Sequence, residues 1–261
     1  MTSTQVSVAG GRFSTHLLSW GDGGTPLLFL HGFDGHPGEA SFLARLAEKR
    51  RVLAPEHPGY GDSAGIEEID DIIDMTLYYR QLIETLGLAQ VDIVGHSLGG
   101  MFGAEIAALC PQLVRRLVLV APFGLWLDDE QIPDLFVMSP NQLQRATWHE
   151  PEAPIAQQVL SALAGGRTGP AAIVTRAMNL SAAGKFLWPI PDRGLRKRLP
   201  LIKAPTQVIV GASDKLITPG YGRAFADQIP GAQLDIVDAA GHLPMFEQED
   251  RFLRLVEGFL G

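Results

Sequence analysis

The chain of 261 residues carries a single cysteine, Cys110, so no disulfide can close within it and a cysteine-based zinc cage is excluded. Cys110 precedes Pro111 where a helix should end, and it reads as a buried structural thiol. Positive charge is short: 21 Lys and Arg stand against 29 Asp and Glu, a net charge of −8. A nucleic-acid binder needs the opposite balance, because phosphate neutralisation supplies most of its affinity. No apolar run approaches the roughly 20 residues of a membrane span. The opening Met1-Thr2-Ser3-Thr4-Gln5-Val6 has neither a basic nor an apolar leader region, so the expectation is a soluble, cytoplasmic protein. No H-x-x-x-H pair and no acidic cluster has ligand spacing, so neither metal nor cofactor is expected. Internal repeats and low-complexity tracts are also missing. What remains is an ordinary globular composition, 46% hydrophobic and 19% charged. The expected partner is a small-molecule substrate, not nucleic acid or membrane, with a homodimer left open.

Short apolar runs alternate with helical patterns. Val6–Val8 and Phe13–Trp20 flank a Gly-rich turn and read as a hairpin. Leu27–Leu30, Val52–Ala54, Val91–Val94, Leu117–Val120, Gln207–Val210 and Leu234–Val237 have the continuous apolar character of strands buried on both faces. Helical periodicity is predicted near 39–49, 69–86, after Ser97, 219–228 and 249–260. Such alternation implies an α/β fold with a mostly parallel sheet covered on both faces. The rhythm breaks between Val120 and Gln207, where no strand is evident and three of the four tryptophans fall. This stretch reads as a helical cap over 128–199, inserted into a core made of 1–127 and 200–261.

Gly95-His96-Ser97-Leu98-Gly99-Gly100 follows the strand Val91–Val94 directly. A serine at such a strand-to-helix turn must hold a strained backbone, and side chains two residues either way would obstruct the close approach of strand and helix. Ser97 is therefore the candidate nucleophile. The N–H of Leu98, at the positive end of the following helix, is a candidate oxyanion donor. Serine needs a base, and the base needs a carboxylate; on a turn of this kind they follow as acid and then histidine. Asp214 lies just after the strand Gln207–Val210 and His242 just after Leu234–Val237, so both would project from the carboxyl ends of strands. Asp128 and Asp129 are alternatives for the acid.

The loop His31-Gly32-Phe33-Asp34-Gly35, the turn Pro58-Gly59-Tyr60-Gly61-Asp62-Ser63 and the Gly95–Gly100 elbow stand in one order. With them the chain resembles the α/β-hydrolase superfamily over nearly its whole length. The resemblance implies the α/β-hydrolase fold with an inserted helical cap, and a catalytic set of Ser97, Asp214 and His242. It also implies an oxyanion hole from the backbone N–H groups of Phe33 and Leu98, with His31 as a loop brace. Relatives with an aspartate nucleophile, the haloalkane dehalogenases and epoxide hydrolases, are set aside by Ser97. The expected substrate is a small to medium, fairly apolar carboxylic ester or lactone, cleaved through an acyl-enzyme. Carbon–carbon bond hydrolases of ring-cleavage products are the alternative, although they typically carry Trp where this chain has Leu243 and a longer HGxGPG loop. A small-molecule receptor with slow turnover is the second alternative. Trp126, Phe136, Met138, Trp148, Phe186, Trp188 and Leu243 are the candidate pocket residues; Arg167, Arg176 and Lys185 read as solvated charges.

Overall fold

The computed structural model describes residues 1–261. Eight strands form one sheet: β1 (Thr2–Val8), β2 (Phe13–Trp20), β3 (Leu27–Leu30), β4 (Val52–Pro55), β5 (Val91–His96), β6 (Val114–Val120), β7 (Thr206–Gly211) and β8 (Gln233–Val237). Their order is β1-β2-β4-β3-β5-β6-β7-β8. β1 and β2 pair antiparallel with each other, and β2 with β4; every later pairing is parallel. The chain leaves β3 for β4 on one side and then returns past it to β5. The carboxyl ends of β3 and β5 thus flank the point where strand order reverses, the crevice where open α/β sheets bind ligands. The hairpin begins at Thr2, four residues before its apolar pattern does, because the outer strand is exposed on both faces and needs no hydrophobic signature.

The helices are α1 (Ser41–Leu46), α2 (Ile72–Thr85), α3 (Leu98–Leu109), α4 (Pro140–Thr147), α5 (Pro154–Leu163), α6 (Gly169–Leu187), α7 (Leu195–Arg198), α8 (Pro219–Gln228), α9 (Pro244–Glu247) and α10 (Glu249–Leu260). Alternation along the strands divides the core in two. Leu28, Leu30, Ile93, Leu117, Leu119, Val208 and Val210 join α2, α3 and α8 on one face. Leu27, Phe29, Val94, Val118, Val120 and Ile209 join α1 and α10 on the other. α2 starts where Asp71 accepts the N–H groups of Ile73 and Asp74, three residues later than the apolar pattern suggests. α3 stops at Cys110, whose thiol is buried and whose pKa burial pushes up.

Only helices and loops lie between β6 and β7, as the missing strand pattern predicts. The last turn of this insertion is fastened by Arg198, whose Nε and Nη2 each donate to the Glu105 carboxylate at 2.6 Å. Glu105 is fully buried in α3, and burial drives its pKa up against the pull of that guanidinium. Arg198→Ala leaves a buried, unpaired carboxylate and is expected to cost about 3 kcal/mol of stability, read as a lowered urea midpoint. A midpoint within experimental error of wild type would show that the pair contributes nothing net.

Candidate active site

Ser97 closes β5 and opens α3 with φ 58° and ψ −116°, a conformation L-residues rarely hold. The surroundings over-determine it. The Ser97 N–H donates to the Val120 carbonyl at 2.8 Å, and its own carbonyl accepts from Phe123 at 3.1 Å and Met101 at 3.2 Å. A Cβ on Gly95 would overlap the Gly99 carbonyl, and one on Gly99 would overlap the Leu30 carbonyl. The two glycines are therefore demanded by close backbone approach, which is the reason given above for their spacing.

The three residues picked from the sequence meet. Ser97 Oγ lies 2.8 Å from His242 Nε2, and His242 Nδ1 lies 2.7 Å from Asp214 Oδ2. All three are buried. A carboxylate can only accept, so Nδ1 carries the proton and Nε2 is left as the acceptor for the serine hydroxyl. Asp214 is itself fixed: its Oδ1 accepts the N–H groups of Leu216 at 2.8 Å and Ile217 at 3.0 Å. Asp128 and Asp129 are exposed.

Supports for His242 have no sequence signal. Its N–H donates to the Thr147 carbonyl at 2.6 Å, and Lys215 N–H donates to the Ala146 carbonyl at 3.1 Å, so the end of α4 ties down both the histidine and acid loops. Glu247 accepts Gly241 N–H and His149 N–H, each at 2.7 Å, across the same junction. From the elbow side, His96 Nε2–H donates to the His242 carbonyl at 2.8 Å.

The loop at 31–35 lies against the elbow, and a Cβ on Gly32 would stand 2.8 Å from His96 Nδ1 and 3.1 Å from the Ser97 Cβ. It is closed by Gly35 N–H on the Gly32 carbonyl and braced by a buried histidine pair. His31 Nδ1–H donates to the Gly32 carbonyl at 2.8 Å, and His31 Nε2 accepts the His57 N–H at 2.9 Å. His57 Nε2–H returns to the His31 carbonyl at 2.8 Å, while its Nδ1 accepts from the Tyr79 hydroxyl. Both rings are neutral, burial holding His57 down to about 3 and His31 well below its usual range. The bracing consumes loop carbonyls and leaves the Phe33 N–H without an acceptor in the protein. Leu98 opens α3, so its N–H has no carbonyl a turn earlier to bond.

The pocket candidates divide. Leu243 lines a small cleft beside the 31–35 loop with Leu163, Met245 and Phe246. Trp126 and Phe136 line a second cleft with Phe123 and Leu187. Met138 is half-buried against the same core. Phe186 packs edge-on to Phe102 of α3 at 5.0 Å, and Trp188 is 52% exposed, edge-on to Phe136. Trp148 turns the other way, into the core on the α1 and α10 face. Of the charges read as solvated, Arg167 and Lys185 are exposed while Arg176 is half-buried.

Comparison with known proteins agrees with the architecture. Residues 27–255 match the Alpha/beta hydrolase family. The chain is 30% identical to 2-hydroxymuconate semialdehyde hydrolase of Pseudomonas putida, over 98% of this chain and 93% of that one. Among solved structures, a membrane phospholipase A described as a bacterial virulence factor superposes with TM-score 0.82 at 21% identity, covering 99% and 85% of the two chains. The enol-lactonase from Burkholderia xenovorans LB400 superposes with TM-score 0.77 at 24% identity, covering 98% and 99%. This chain belongs to the alpha/beta hydrolase family and is a hydrolase.

Proposed function

We propose that the protein is a serine hydrolase that cleaves a small to medium, fairly apolar carboxylic ester or lactone, with Ser97 as nucleophile, His242 as base and Asp214 as its orienting acid. The carrying observation is the unbroken hydrogen-bond run from Ser97 Oγ through His242 to Asp214. In this reading His242 Nε2 takes the hydroxyl proton as Oγ bonds to the acyl carbon. The carbonyl electrons move onto oxygen, which meets the N–H groups of Phe33 and Leu98. Collapse breaks the bond to the leaving oxygen, which receives the proton from His242. Water then repeats the sequence on the acyl-enzyme and frees Ser97. Helices α4–α7 act as the cap over 128–199, and the apolar character of Trp126, Phe136 and Leu243 favours an uncharged substrate body.

Carbon–carbon bond hydrolysis is the second reading, favoured by the relationship to 2-hydroxymuconate semialdehyde hydrolase. Leu243, where such enzymes typically carry Trp, weighs against it. A panel of p-nitrophenyl esters from acetate to laurate, with simple lactones, separates the two. The expected outcome is a burst of p-nitrophenol and turnover that is best at short to medium acyl length. Turnover confined to dienone-type carbon–carbon substrates would reject the ester reading, and no turnover on either would turn attention to a receptor role.

A further inference from the structure

The loop that carries Phe33 also carries an acid. Asp34 is half-buried, and its backbone carbonyl is held at 2.5 Å by Nδ2 of Asn179, a buried residue of α6. The backbone is thus clamped between core and insertion. Asp34 borders the cleft lined by Leu163, Leu243 and the His96 ring.

No hydrogen bond reaches the Asp34 carboxylate, although every other carboxylate that is buried or half-buried has a partner. Asp92 has Arg115, Glu105 has Arg198, Asp214 has His242 with two amides, and Glu247 has two amides. A carboxylate taken partly out of water without a partner costs stability. The His242 ring, neutral until it takes a proton, and the Arg176 guanidinium act on it through space, and the Tyr60 hydroxyl also lies in its field. Burial outweighs both and raises its pKa to about 6, so at neutral pH the group is mostly charged. A carboxylate with no hydrogen-bond partner, on a loop that lies against the nucleophile elbow, is the arrangement expected of a selectivity element.

We propose that Asp34 is a specificity-determining residue that turns away substrates carrying a carboxylate next to the 31–35 loop and admits uncharged or hydrogen-bond-donating ones. The inference rests on the acyl-transfer reading of Ser97, and it deepens that reading by naming the substrate class. A like charge brought into a poorly solvated cleft is penalised on binding, so the discrimination falls on KM more than on kcat. Arg176 pulls the other way, and Asp34 outweighs it because it stands on the loop itself while Arg176 is spent in part on the Met138 carbonyl.

Wild type and Asp34→Asn are compared on p-nitrophenyl valerate against mono-p-nitrophenyl glutarate, and on phenyl against 3-carboxyphenyl butyrate. The added carboxylate lies once on the acyl side and once on the leaving group. For at least one pair the ratio of anionic to neutral kcat/KM is expected to rise about tenfold in the variant, through KM, with neutral esters changed less than about twofold. Unchanged ratios in both pairs overturn the proposal. So does an equal loss on all four esters, which would make Asp34 a positioning residue. Titration with phenylboronic and 3-carboxyphenylboronic acids, which bind an active-site serine without turnover, repeats the comparison. Wild type that turns over none of the esters would defeat the ester reading, while the boronate ratio still decides on Asp34.

Discussion

Ser97→Ala is expected to lower kcat on the best ester by about 10⁴- to 10⁶-fold, and His242→Ala by a similar factor. The double variant should be no worse than either single one, because serine and histidine act as one proton-transfer unit. Alanine at 97 keeps the backbone hydrogen bonds to Val120, Phe123 and Met101, so the elbow should fold as before. Asp214→Asn makes a sharper case. The asparagine oxygen can still accept from Leu216 and Ile217, which turns its NH₂ towards His242 Nδ1. His242 must then carry its proton on Nε2, the wrong nitrogen to receive one from Ser97, and a loss of about 10⁴-fold in kcat follows with little change in KM. Initial rates on p-nitrophenyl esters, with urea midpoints to check folding, measure all four variants. More than about one per cent of wild-type kcat surviving in Ser97→Ala would exclude attack by that hydroxyl.

The parts of this arrangement that could be read from the sequence are those fixed by local backbone chemistry. Gly95 and Gly99 are dictated by contacts within a few residues of Ser97 or with the neighbouring strand end, so their spacing survives in the chain as a pattern. Asp214 and His242 each follow an apolar run, and parallel strands deliver such residues to one edge without further instruction. What sets the second layer is non-local. The Thr147 carbonyl that holds His242 is a backbone atom with no side-chain signature, and Glu247 is one of many exposed-looking acids until its amide partners are known. The tryptophans show the same limit. Trp148 directly follows Thr147, whose carbonyl is pinned to the His242 loop, and that anchor sends the ring to the α1 and α10 side rather than over Ser97. Helix α6 carries Ile173, Val174 and Met178 outward, so apolar periodicity could not tell which of its faces meets the core. Asp34 was in view as a letter of the 31–35 loop. Its surroundings depend on Asn179 at its carbonyl and Arg176 in its field, both more than 140 residues away.

Acid is expected to unfold this protein early, and the cause is its buried imidazoles. His36, His57 and His96 are held by burial at about 3, and His31 is also lowered well below the ordinary 6.5. In the unfolded chain each regains the ordinary value and binds a proton as pH falls through it, while the folded protein does not. Unfolding therefore takes up protons below about pH 6.5, and stability falls with pH at about 1.4 kcal/mol per pH unit for each histidine fully in that window. Carboxylates oppose the trend. Asp34, raised to about 6, and Glu56, Glu105 and Glu247, also raised, bind protons sooner when folded and so regain some stability as pH falls. Between pH 7 and 5.5 the four histidines outweigh them, because Asp34 is a single group that returns a little under ~1 kcal/mol over this window, while each histidine loses about 1.3 kcal/mol. The net loss should be about 3 kcal/mol, read from urea unfolding at fixed ionic strength. His36 gives the cleanest control, since its Nε2 has no hydrogen-bond partner and its Nδ1 only accepts the Gly38 N–H at 3.0 Å. His36→Asn preserves an acceptor but cannot titrate, so it should flatten the pH dependence by about 1 kcal/mol over the same range whatever its effect at pH 7. Equal unfolding free energies at pH 7 and 5.5 in the wild type would mean that these rings are hydrated or paired when folded, and that the bracing of the 31–35 loop by neutral histidines is wrong.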